Sequence, residues 1–304
     1  MASGGAAEPQ PPVGGAPTGR VTDRGKRGER LSTAPALHRP AVPAAYAGAM
    51  RLILWDIDGT LVQAGEVGRD IFTEAFQAVV GRAPDQVAAR MLAMAGRTDP
   101  EIALEFLTAH EVAEGERHLP AFSEALVTAL AGKAAMIRER GRALPGARDV
   151  LEALDRTDGV VQSLLTGNVQ PNALLKLASF QLDGYLDFEV GGFGSDHHHR
   201  PSLVQVARDK AERKYGTAFA GPATVLVGDT PLDVAAGKVG GARVVAVATG
   251  PYRVEELRAT EADAVLEDLG DTGAALRAIL GEGRGAPPGT PARWCRGPSA
   301  PSSP

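Results

Sequence analysis

Four short apolar runs, separated by helix-like stretches, constrain the fold of this chain more than any other feature. Arg51–Trp55 (RLILW), Val160–Leu165 (VVQSLL), Thr224–Val227 (TVLV) and Arg243–Ala248 (RVVAVA) are leucine-rich or β-branched and bounded by turn formers. A strand with one wet face alternates apolar and polar residues, and these runs do not. Continuous apolar strands suit a parallel sheet covered on both faces. Helical patterns at Ala147–Asp155, Pro171–Phe180, Pro201–Tyr215 and Leu232–Val239 lie between or after the runs, and Ala264–Leu266 reads as a short final strand. The expected fold class is therefore α/β, a doubly wound, Rossmann-like parallel sheet.

One interval breaks the alternation. Residues 65–143 carry only helical signals; in DIFTEAFQAVV, for example, Ile71, Phe72, Ala75, Phe76, Val79 and Val80 share one face. Helices are also expected over Pro100–His110 and Pro120–Arg140. This block reads as an all-helical cap inserted into an α/β core made of 50–64 and 144–282. Residues 1–49 and 283–304 are rich in Ala, Gly, Pro, Ser and Arg without period, and are expected to be disordered.

Charge and cysteine content narrow the function classes. The formal net charge is −5, with +3 on 1–49 and +2 on 281–304, which leaves about −10 on the body between. An acidic body argues against nucleic acid as partner. No apolar run reaches the roughly 18 residues of a membrane span, and the first residues lack the apolar segment of a secretory signal. The single Cys295 provides no disulfide framework, so a reducing, cytoplasmic setting is expected. Oligomeric state is left open.

Three runs end in the same way. RLILW leads into Asp56, VVQSLL into Thr166, and TVLVG into Asp229. Ligands of open α/β sheets sit beyond the carboxyl ends of the strands, so these side chains are expected to converge. Asp56 and Asp58 lie on one side of extended backbone, where two carboxylates repel and raise one pKa or require a cation. A hard divalent ion such as Mg²⁺ is suited to them, with Asp229 and Asp233 as further acids. Gly59 relieves the turn just past the pair. The plainer alternative is a strand-end turn with an N-cap. It fits less well once a Thr-Gly-Asn and a Gly-Asp-x-x-x-Asp occupy corresponding positions on later strands.

DIDGTL (56–61), LLTGN (164–168), HRP (199–201) and VGDTPLDV (227–234) resemble, in order, the four motifs of the haloacid dehalogenase superfamily. The stretch 245–269 further resembles its phosphoglycolate phosphatase-like members. The resemblance spans about 50–280. It implies a mobile helical cap, Mg²⁺ dependence and hydrolysis of a small phosphorylated metabolite. By the chemistry and the resemblance together, Asp56 is the expected nucleophile and Asp58 the general acid and base. Asp56, the Asp58 backbone carbonyl and Asp229 would hold Mg²⁺, with Asp233 orienting that shell. Thr166, with the Gly167 and Asn168 amides, would hold the phosphoryl oxygens.

The third motif departs from its usual lysine, with Arg200 in that place. Arginine keeps the charge and offers a planar fork to phosphate; the alternative is an exposed Arg200 with Lys210 or Lys214 as the cation. Arg97 and Thr98, in AGRTDPE, read either as a helix start or as a cap loop whose arginine reads the leaving group. His197–His199 invite a zinc reading, but successive side chains diverge and a solvated loop is expected. GGFG at 191–194 lacks the lysine of a phosphate cradle. Besides a phosphatase, a phosphomutase of the β-phosphoglucomutase type and a non-enzymatic receiver-like phospho-switch remain open. The DxD spacing and the helical block count against the switch.

Overall fold

A computed structural model describes residues 50–65 and 67–281, so the disorder expected at 1–49 and 283–304, and Cys295, lie outside the described residues. The chain begins with β1 (Arg51–Trp55) and turns into the short β2 (Val62–Gln63). Helices α1 (Gly68–Val80), α2 (Gln86–Met91), α3 (Asp99–Ala109), α4 (Gly115–Gly132) and α5 (Ala134–Arg140) follow. Then β3 (Arg142–Ala143) pairs antiparallel with β2, so the incoming and outgoing strands of the helical block are stitched together. These two-residue strands are too short to show a period, and the sequence reading missed them.

The second half alternates. It runs α6 (Ala147–Asp155), β4 (Val160–Thr166), α7 (Gln170–Ala178), β5 (Gly192–Phe193), α8 (Ser202–Tyr215) and β6 (Thr224–Gly228). It closes with α9 (Pro231–Val239), β7 (Arg243–Val247), α10 (Val254–Arg258), β8 (Ala264–Leu266) and α11 (Thr272–Leu280). The main sheet is parallel throughout, in the order β5-β4-β1-β6-β7-β8. This is the doubly wound α/β architecture.

The missing alternation in the strands now has its physical cause. Ile53 and Trp55 point into a cluster with Val150, Leu151 and Leu154 of α6 and Ile279 of α11. Leu52 and Leu54, on the opposite face, pack with Leu203, Val204 and Ala207 of α8 and Ala236 of α9. Both faces are dry along Leu52–Trp55, so these four positions of β1 are all apolar, and only the half-buried Arg51 at its start is charged.

The helical block has its own apolar cluster, built from Phe72 and Phe76 of α1, Ile102 and Phe106 of α3, and Phe122 and Leu126 of α4. The single helix expected over Pro120–Arg140 is two helices. The first begins at Gly115, so Pro120 lies in its second turn and removes one backbone hydrogen bond. The break falls at Lys133, whose N–H donates to the Leu130 carbonyl and tightens the last turn. Among the described residues, no helix is long and apolar enough to cross a membrane.

Candidate active site

Parallel register gathers the reactive side chains. Trp55 stands level with Leu164 of β4 and with Val227 of β6. The residues that follow, Asp56, Thr166 and Asp229, therefore emerge together at the carboxyl edge of the three central strands. Asp229 is held by the Thr60 hydroxyl, which donates to its Oδ1 at 3.2 Å. Gly59 has φ +86°, and a Cβ there would stand 2.4 Å from Asp229 Oδ2. Only glycine allows this turn to pass so close to the carboxylate.

The carboxyl oxygens of Asp56, Asp229 and Asp233 reach within 4.8 Å of one another, and all three residues are buried. Arg200 is the cation at this cluster. It is 5% exposed, and its Nη2 donates to Asp56 Oδ1 at 2.8 Å and to Asp233 Oδ1 at 2.5 Å. Arg200 is thus a buried arginine at the expected nucleophile. Lys210 instead bonds the Gly191 carbonyl and Asp196, and Lys214 pairs with Asp187 and Glu189.

Burial pushes the Asp56 carboxyl up to about 7; Arg200 opposes this, while Asp233 and then Asp58 add to it. Burial, followed by the charges of Asp56 and Asp233, holds Asp229 well above the usual carboxylate range. Three buried acids against one guanidinium leave negative charge unbalanced, and the donors are all oxygen, a set that fits a hard divalent cation. The oxygens of Asp233 are already engaged. Oδ1 meets Arg200, and Oδ2 accepts from the Thr230 N–H and hydroxyl in the capping box that starts α9. Asp233 is therefore placed to orient the cluster.

Asp58 faces a different set of partners. Its Oδ2 accepts from Lys176 Nζ at 2.6 Å and from Asn168 Nδ2 at 2.8 Å. Lys176 also donates to Asn168 Oδ1 at 2.7 Å, and Asn168 Nδ2 reaches Thr166 Oγ1 at 2.9 Å. The repulsion expected between Asp56 and Asp58 does raise the Asp56 carboxyl, but as the smallest influence, after burial, Arg200 and Asp233; Asp58 has its own cation in Lys176. Sequence reasoning missed Lys176. The available signal was a pair of polar residues, Asn172 and Lys176, at i and i+4 on the apolar side of α7; both are buried.

Arg97 and Thr98 do not present free groups to a ligand. Arg97 lines the cavity, but its guanidinium pairs with Glu101 and Glu105 and bonds the Ala93 carbonyl. Thr98 is fully buried; its hydroxyl caps α3 through the Glu101 N–H and donates to the His198 carbonyl at 2.6 Å. Of the two readings of AGRTDPE, the helix-start one describes Thr98, which is the N-cap of α3 and is not among the residues lining the cavity. The neighbouring Asp99 is also buried. Burial pushes its carboxyl up to about 6, against the charge of Lys176 and the Val169 N–H bond. His197–His199 are exposed, and among the described residues they join no cluster of metal-ligating groups.

Above the cluster lies a cavity of about 860 Å³. Its floor includes Asp56, Asp58, Asn168, Lys176 and Arg200, and its walls include Val67, Phe72 and Met94 of the helical block.

Comparisons with known proteins agree with this architecture. A predicted phosphatase from Clostridium acetobutylicum aligns with TM-score 0.56 at 15% identity, over 75% of this chain and 99% of its own. CbbY from Rhodobacter sphaeroides, solved in complex with phosphate, gives 0.54 at 21% identity, covering 74% and 96%. A protein described as a phosphoglycolate phosphatase from Lactobacillus plantarum gives 0.52 at 15%, covering 75% and 99%. At these identities the likeness establishes the fold. No curated protein matches the chain. The family model for haloacid dehalogenase-like hydrolases matches residues 53–238, from β1 through most of α9. With the strand-end carboxylates and the parallel strands β1, β4, β5 and β6 inside that match, the chain belongs to the haloacid dehalogenase-like hydrolases.

Proposed function

We propose that this hydrolase is a Mg²⁺-dependent phosphatase acting on a small phosphorylated metabolite, phosphoglycolate-like or a sugar phosphate. The observation that carries the reading is the environment of Asp56. One carboxyl oxygen is tied to Arg200 at 2.8 Å, and the residue lies on the cavity floor beside Thr166 and the Asn168 turn. With one oxygen held, the other is available to attack phosphorus.

Attack by Asp56 forms an O–P bond and breaks the bond to the leaving oxygen, which takes a proton from Asp58. Water then attacks phosphorus, gives its proton to Asp58, and releases inorganic phosphate with Asp56 regenerated. Asp56, the Asp58 backbone carbonyl and Asp229 would hold Mg²⁺, which would supply positive charge that favours ionised Asp56 and offsets the phosphoryl oxygens. Thr166 and the Gly167 and Asn168 amides meet those oxygens as charge develops. Arg200 Nε, buried without a hydrogen-bond partner among the described residues, is a further donor for them. Asn168 and Lys176 hold Asp58 at the leaving-group side.

The test is phosphate release by the full chain from p-nitrophenyl phosphate, followed by a panel of phosphorylated metabolites. Hydrolysis is expected to need Mg²⁺ and to vanish in Asp56→Asn. EDTA-insensitive turnover would sink the metal assignment. Conversion of a sugar phosphate to its isomer without phosphate release would make the protein a mutase.

A further inference from the structure

Residues 97–99 of the helical block touch both core turns that carry site residues. The Asp99 N–H donates to the Gly167 carbonyl at 2.8 Å, and Asp99 Oδ2 accepts from the Val169 N–H at 2.9 Å. The Thr98 hydroxyl reaches the His198 carbonyl, two residues before Arg200. The approach is close: a Cβ on Gly167 would lie 2.0 Å from the Arg97 carbonyl oxygen.

The Asp99 carboxylate is not needed by its own helix, because Thr98 already caps α3. It serves α7 instead, whose N-cap residue Val169 has no capping side chain. A trans peptide points its C=O and the next N–H in opposite directions. Turning the Gly167 carbonyl toward Asp99 therefore turns the Asn168 N–H away from the helical block, toward Thr166 Oγ1 at 3.3 Å. The next peptide is fixed at both ends. Its carbonyl, on Asn168, accepts from Gly194 N, and its N–H, on Val169, meets Asp99.

We propose that Asp99 is a positioning residue, reaching from the helical block to orient the 167–169 turn whose amides meet the phosphoryl group. The assignment rests on the phosphatase reading of that turn. It also gives docking of the helical block a chemical consequence, since the anion-binding amides are aligned only while Asp99 is in place.

The experiment compares Asp99→Ala and Asp99→Asn with the wild-type full chain in Mg²⁺. The readouts are kcat/KM for p-nitrophenyl phosphate, the inhibition constant of inorganic phosphate, and amide hydrogen exchange. Asp99→Ala is expected to weaken both kinetic constants roughly tenfold or more, whereas Asp99→Asn, which keeps an oxygen acceptor, stays within about threefold. Exchange at 166–169 should quicken in Asp99→Ala while β1 and β6 stay protected. Wild-type behaviour in Asp99→Ala, or an equal loss in Asp99→Asn, overturns the proposal. So does faster exchange throughout β1 and β6, which would make Asp99 a residue of general stability. A wild-type chain that turns over no phosphate ester refutes the phosphatase reading, and the exchange measurement still decides whether Asp99 orders the turn.

Discussion

Asp56 concentrates the conflict between stability and chemistry in one side chain. Its carboxyl is pushed to about 7 in the fold, against 3.8 in a solvated chain. Between those values the folded state binds more protons, so its stability falls as pH rises through that window. In EDTA, thermal melts from about pH 5 to about pH 8 should show a falling Tm that Asp56→Asn flattens and Mg²⁺ restores. A flat wild-type profile would contradict the buried-acid picture. The same raised pKa means that a bound cation displaces a proton. Apparent Mg²⁺ affinity should therefore climb over this range, with proton release visible by calorimetry in buffers of different ionisation enthalpy. Arg200 belongs to the same scale. Arg200→Ala strands two buried carboxylates, a loss of about 3–5 kcal/mol for a broken buried pair. Its kcat/KM should fall far below that of Lys210→Ala, whose side chain bonds Gly191 and Asp196 away from the buried carboxylates. The reverse order would mean that the wrong cation has been placed at the site.

At the scale of elements, the turns after the strands set the geometry. Gly59→Ala would require a positive φ of an alanine and drive its Cβ onto Asp229. The expected result is a loss of about 1–3 kcal/mol in stability together with impaired Mg²⁺ binding; a variant with wild-type metal affinity would show that the turn adapts. The strand-end residues were legible because a strand's period and the residue that follows it are local properties. Lys176 was not legible as a site residue. Its partner Asp58 lies 118 residues away in sequence, and within α7 it reads as one lysine in a leucine-rich helix. The start of α4 at Gly115 was equally hidden, because Pro120 marks a helix start as readily as it tolerates a second turn.

At the scale of the molecule, the described residues 50–65 and 67–281 contain the sheet, the helical block and the strand-end acids Asp56, Asp229 and Asp233. A chain shortened to 50–282 should accordingly keep the kcat of the full chain on p-nitrophenyl phosphate; a collapse would assign the terminal segments a catalytic role. The α/β class followed from sequence alone, since dry strands cannot alternate and β1 is buried on both faces. So did the convergence of Asp56, Thr166 and Asp229, because parallel strands in register must end together. Tertiary structure alone decided who partners whom. It committed Arg97 to Glu101 and Glu105, gave the Thr98 hydroxyl to the His198 carbonyl, and set Asp99 against the 167–169 turn. The reason is physical: backbone period is written in neighbouring residues, whereas a buried charge finds its partner only where packing brings distant helices together.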